Sequence, residues 1–172
     1  MSQKVLLINK DDILQYSSLN GNIDFEKIKA HVFNAQIIYL EPLLGSNLYQ
    51  KVINIVETDT INTAGNEYYK TLLLDYITPV LVFYTLEIFT SFHAYEISNG
   101  GISKFSPENA TAVEKNEVDY IVQRYRLTAE KYAHKMETYL DNNSTHFTEL
   151  SSAEDEIDKQ DPTFYVGWNL QE

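Results

Sequence analysis

The chain has 172 residues, no cysteine and a formal net charge of −12. The length fits one domain of about 100–200 residues, and the missing thiols exclude disulfides and thiolate metal sites and fit a reducing compartment. Residues 141–172 hold 8 acids against one base, Lys159, and residues 1–140 hold 17 against 12, so Lys/Arg patches of the kind that grip nucleic-acid phosphates are not expected.

The first residues, "MSQKVLLINKDD", carry too short an apolar run for a secretory signal, and Val5–Ile8 read as a short strand. Asn9 is placed to cap a helix with Asp11 and Asp12 in its first turn. After the turn "NGN", Asp24 is a second N-cap, and Phe25, Ile28, Val32, Ala35 and Tyr39 follow at spacings of 3 and 4, one buried stripe. Proline disfavours the α region for the residue before it, so this helix is expected to stop before Pro42. The next helix starts at Ser46 or Asn47 and buries Leu48, Tyr49, Val52, Ile53 and Val56. Residues 57–66 are a loop of turn formers.

A long, almost wholly apolar helical region is expected from Glu67 to Ile97, kinked or split at Pro79. Its longest apolar stretch, around Ile77 to Phe92, is interrupted by Thr78, Thr85, Glu87 and Thr90 and is too short and too polar for a membrane span. "SNGG" would end it, with Gly100 or Gly101 as the left-handed cap beside Asn99. Ser106, Pro107 and Glu108 form a start signal for a last helix reaching Leu140. There Val118, Val122, Tyr125, Ala129, Tyr132, Met136 and Tyr139 repeat over three heptads, which predicts packing along its whole length. The expected architecture is all-α: a four- to five-helix bundle over residues 1–140 with a short N-terminal strand and helix. An acidic tether and an extended C-terminal arm follow over 141–172.

Chemistry is sparse. His93/Glu96 and Glu130/His134 lack the order and number of ligands that a bundle metal site needs. Phosphate loops, dinucleotide fingerprints and nucleophile elbows are absent. The acidic cluster Glu154, Asp155 and Glu156 has no apolar pocket to raise a pKa. Neither an enzyme nor a cofactor is expected. The 13 tyrosines suit packing and subunit contacts, because tyrosine buries much area at low entropic cost.

The stretch "NAQIIYLEPLLGSNLYQKV", with Ala35, Gln36, Leu40, Pro42, Leu44, Gly45, Leu48 and Tyr49, resembles the small head–tail connector proteins of tailed bacteriophages. These are also called adaptor or head-completion proteins, and the nearest are those of Bacteroidetes phages and prophages. The order of elements, the "NGG" after a long apolar helix and the closing "YLDNN" agree with it. The resemblance implies a structural virion protein, assembled in the host cytoplasm into a ring of about twelve copies under the portal. Such a ring binds portal and tail or neck proteins and extends the channel through which DNA passes without specific binding. A tail-completion or other neck ring is the neighbouring alternative, and a cytosolic helical adaptor working through its C-terminal arm is another.

That arm ends in "TFYVGWNL". Phe164, Val166, Trp168 and Leu170 alternate, so an extended chain puts them on one face, with Tyr165 between the first two. The segment is read as a partner-binding strand. It either adds to a neighbouring subunit or the portal, or folds back beside Val5–Ile8.

Overall fold

Both N-caps near the start of the chain are made. Asn9 Oδ1 accepts from the backbone N–H groups of Asp11 (2.7 Å) and Asp12 (3.2 Å), and Asp12 returns a carboxylate to Asn9 N–H at 2.8 Å. These bonds satisfy orphan donors of helix α1, Lys10–Tyr16. Asp24 Oδ1 accepts from Glu26 N–H at 3.1 Å and opens α2, Phe25–Ala35, which buries Ile28, Val32 and Ala35. The computed structural model describes residues 4–17, 24–93, 95–98, 101–104 and 115–150. Within them the chain is an all-α bundle of five helical rods with one small hairpin.

The second rod runs through Pro42 instead of stopping before it. After α2 comes a π-helical turn, Gln36–Leu40, and then α3, Glu41–Leu44. A proline ring strikes the carbonyl four residues earlier in a regular α-helix. Here that carbonyl belongs to Ile38, inside the π turn, where bonding to the fifth residue on re-aims it: Glu41 N–H donates to Gln36 O. The rod ends instead at Gly45, with φ +75° and ψ 150°, a region that is essentially open only to glycine. Helix α4, Ser46–Glu57, then buries Leu48, Tyr49, Val52 and Ile55. Ile53 and Val56 are only half-buried at its margin.

Pro79 is accommodated in the same way. Helix α5 (Glu67–Thr71), a π turn (Leu72–Ile77) and α6 (Thr78–His93) form one continuous rod. Asp75, four residues before Pro79, lies inside the π turn, and the buried Thr78 sends both its N–H and its hydroxyl (2.8 Å) to Leu73 O. The rod is therefore longer than a proline break would allow. From Glu67 to Phe92 it is long and apolar enough to cross a membrane by length and composition, but 78% of its most apolar window is buried inside the bundle. Its environment is α2 on one side and α7 on the other.

The rod stops at His93, short of Ile97. Residues 95–104 are a two-stranded antiparallel hairpin, β1 (Tyr95–Ser98) with β2 (Gly101–Lys104), in the register Tyr95↔Lys104 to Ser98↔Gly101. Two residues, Asn99 and Gly100, separate the strands and themselves lie outside the described residues. Asn-Gly between short alternating runs is a strong two-residue hairpin signal, and it overrides the helix-capping reading of these glycines.

Helix α7 spans Lys115–Asn142; the start signal at Ser106 lies outside the described residues. The bundle then continues past residue 140 through two 3₁₀ turns, Ser144–His146 and Thr148–Leu150. Phe147 between them is fully buried, edge-on to Tyr69 at 5.2 Å, and Tyr69 OH donates to Glu149 Oε2 at 2.7 Å. The packed unit thus reaches Leu150, not Leu140. One buried aromatic is worth about 3–5 kcal/mol, enough to pin a turn that composition assigns to a polar tether. At the other end, Val5–Ile8 is not a strand. Among the described residues it pairs with no strand, and its inward backbone bonds go to a side chain.

Candidate subunit interface

That side chain is Gln36. It is fully buried in the π turn after α2, and its Oε1 accepts from Leu7 N–H at 2.9 Å while its Nε2 donates to Val5 O (3.2 Å) and to Tyr49 OH (3.3 Å). One amide group therefore does for the N-terminal segment what one residue of a parallel neighbouring strand would do. It also ties that segment to α4. Ala35, Leu40, Leu44, Leu48 and Tyr49 are buried around it, Pro42 sits on the π turn and Gly45 makes the corner. The eight motif residues that carry the family likeness thus build a folding device, not a surface.

The exposed apolar surface lies elsewhere, at one end of the bundle. Helices α6 and α7 run antiparallel, in a register set by Tyr76 stacked on Tyr139 (4.4 Å), Phe83 on Tyr132 (5.6 Å) and Glu87 beside Arg126 (3.8 Å). Continuing that register brings Phe92 level with Tyr120 and Ile121. The two halves of α7 differ sharply. Ala129, Ala133, Met136 and Leu140 are buried in the second half, and no residue from Asn116 to Thr128 is. The heptad stripe expected to pack throughout is only half-buried at Val118, Val122 and Tyr125. Its physical limit is Phe83, which reaches Tyr125 at 6.4 Å. Among the described residues no aromatic contact reaches further toward the start of α7.

On a neighbouring face of the same half, Tyr120 is 63% exposed and Leu127, seven residues on, is 52% exposed, with Ile121 beside them. Residues seven apart share a helix face, so these make an apolar stripe with Arg124 between them. Phe92, 59% exposed at the end of α6, stacks on His31 of α2 at 5.8 Å. The hairpin β1–β2 springs from that same end. Sequence reasoning missed this stripe because it scored only the core seam. The signal was three large apolar residues off that seam.

A polar cluster marks the boundary between the halves. Glu87, the one acid in the middle of the apolar rod, is 7% exposed. Burial raises its carboxyl pKa; Arg126 opposes the shift and Glu130 adds to it. Its Oε2 has no hydrogen-bond partner among the described residues. Tyr39 and Tyr84 stack at 4.0 Å beside it, and burial together with Glu130 and Glu87 pushes the Tyr84 hydroxyl up to about 12. Arg126 is held loosely, 3.6 Å from Glu130 and more than half exposed. This cluster links α6 to α7 through Glu87 and Arg126 and so orients one helix on the other.

Among the described residues no group of three or more His, Asp or Glu side chains converges as a metal site. His134 is exposed beside Glu137 (3.6 Å), and His146 stacks on Tyr68 at 3.6 Å. Gly101 opens β2. Phe164, Tyr165, Val166, Trp168 and Leu170 of the arm lie outside the described residues.

Residues 40–158 match the model of one protein family, described as a family of unknown function (DUF6712), and the chain belongs to that family. No curated protein and no solved structure matches the chain.

Proposed function

We propose that this member of the family is a structural protein that assembles side by side into a ring at the head–tail junction of a tailed bacteriophage or prophage, under the portal, and extends the DNA channel. The observation that carries the reading is the first half of α7. It is an ordered helix with Tyr120, Ile121 and Leu127 exposed, on a bundle whose other half is tightly packed. Large exposed aromatic and aliphatic side chains with an arginine among them have the composition of protein–protein contact cores. A ring places each such face against the next subunit, so one surface repeated about twelve times closes the assembly.

Two further features support it. The formal charge of −12 suits a channel wall that lets DNA slide without binding. The resemblance of residues 34–52 to head–tail connectors supports a position under the portal, with portal and tail or neck proteins as the partners above and below. The alternative of another neck ring uses the same face and differs only in neighbours.

Electron microscopy of the purified protein, alone and mixed with a portal protein encoded in the same gene cluster, tests the reading. Rings, or an added layer on the portal, are the expected result. Their absence in both samples across a range of protein concentrations and salt overturns it.

A further inference from the structure

The N-terminal segment has a second edge. The Val5 carbonyl and the Leu7 N–H both face Gln36, so the N–H and carbonyl of Leu6 between them point the other way. Among the described residues nothing hydrogen-bonds either group. Along that edge runs an open groove of about 770 Å³ lined by Lys4, Val5, Leu6, Lys29, Phe33 and Glu57, with Ala30 exposed on its floor. The Lys4 ammonium lies 3.6 Å from the Phe33 ring centre, and Lys29 pairs with Glu26 at 2.6 Å on the rim. A floor of Ala30 and Phe33 beside Asn34, an open backbone edge and the Lys4 ammonium suit an extended peptide that adds as a strand.

We infer that residues 163–170 of the same chain dock in this groove as an added strand, with Phe164 and Trp168 on the apolar floor and the backbone paired to Leu6. The described chain ends at Leu150, close by. Glu149 is bonded to Tyr69, the Tyr69 ring is 5.7 Å from the Lys51 ammonium, and Glu57 at the groove lies six residues further along α4, about 9 Å of helical rise. Twelve residues, 151–162, separate Leu150 from the docking segment, and a chain of that length reaches at most about 40 Å. They carry Glu154, Asp155, Glu156, Asp158 and Asp161 against Lys159, a charge that Lys4 and Lys29 complement. So short a tether holds the strand at an effective concentration in the millimolar range, and the few backbone bonds that Leu6 offers then suffice. The docking does not depend on ring formation.

Trp168 is the only tryptophan, so its fluorescence reads the contact directly in the full-length protein. Docked, it emits at shorter wavelength and is quenched by acrylamide severalfold less than in a peptide of residues 159–172, equally at every protein concentration. Ala30→Glu on the exposed floor and Lys4→Glu with Lys29→Glu on the rim should move both readings to those of the peptide while the helical circular dichroism and melting of the bundle stay unchanged. Leu6→Pro, which deletes the paired N–H, should do the same. A tryptophan as exposed as in the peptide, or one unmoved by Ala30→Glu and by the double lysine variant, overturns the proposal. Burial that appears only as protein concentration rises overturns it too, because the strand then sits on a second copy.

Discussion

The two halves of α7 obey one sequence pattern and live in different surroundings. From Ala129 to Leu140 the helix buries every third or fourth residue against α6 and the π turn, and the turns beyond it are pinned by Phe147. From Asn116 to Thr128 the same heptad continues, but none of its residues is fully buried among the described residues. A repeat in sequence therefore states which face a helix can bury; a neighbour of matching length decides how much of that face is covered. Where the described neighbour ends, a core seam becomes an exposed surface, and that surface is the one the proposed ring would use.

The contrast can be broken at its anchored end. Phe147→Ala should cost about 3–5 kcal/mol, read as a large fall in the urea midpoint, because the ring is fully buried against Tyr69. A change under about 1 kcal/mol would mean the second half is not anchored there. Met136→Ala, inside the buried half, should cost about 2–5 kcal/mol in the same measurement. Gln36→Ala removes one amide and leaves the Leu7 N–H and Val5 carbonyl without their partner, so about 1–3 kcal/mol is expected per group left unsatisfied. Faster amide exchange at Leu7 should report it.

Glu87 sharpens the boundary between the halves. Burial raises its pKa in the folded chain, so the folded state holds the proton more tightly than the unfolded one. This stabilisation is full below the unfolded value of about 4.3 and is lost as pH rises through the folded value. Glu87→Gln should therefore match the parent at low pH and exceed it by about 0.5–1 kcal/mol at neutral pH, as two melting curves at each pH will show. The smallest effect on stability belongs to the free half. Tyr120→Ser with Leu127→Ser should change the melting free energy by no more than about 0.5 kcal/mol per site and abolish rings in electron micrographs. Rings from that double variant would remove α7 from the interface.

Parts of the fold were legible because they depend on neighbours a few residues away. The caps at Asn9 and Asp24 and the stripes of α2 and α4 follow from side chains meeting backbone groups within one turn, and the all-α class follows from them. The hairpin was read instead as a helix end capped by glycine, although Asn-Gly between short alternating runs is a hairpin signal. Of the candidate interface, the run of α7 to about residue 140 was readable and the exposure of its first half was not. Among the described residues Phe83 makes the aromatic contact that reaches furthest toward the start of α7, and Tyr120, Ile121 and Leu127 lie on the exposed side.

What the sequence by itself determined, then, is where the first helices start and which face each helix can bury. The tertiary structure alone decided that both prolines are absorbed by π turns, that Gln36 stands in for a strand, that the bundle closes over Phe147 and that half of α7 stays open. Each of these sets one residue against partners far along the chain, and the outcome depends on how several rods fill space together, which no single segment contains.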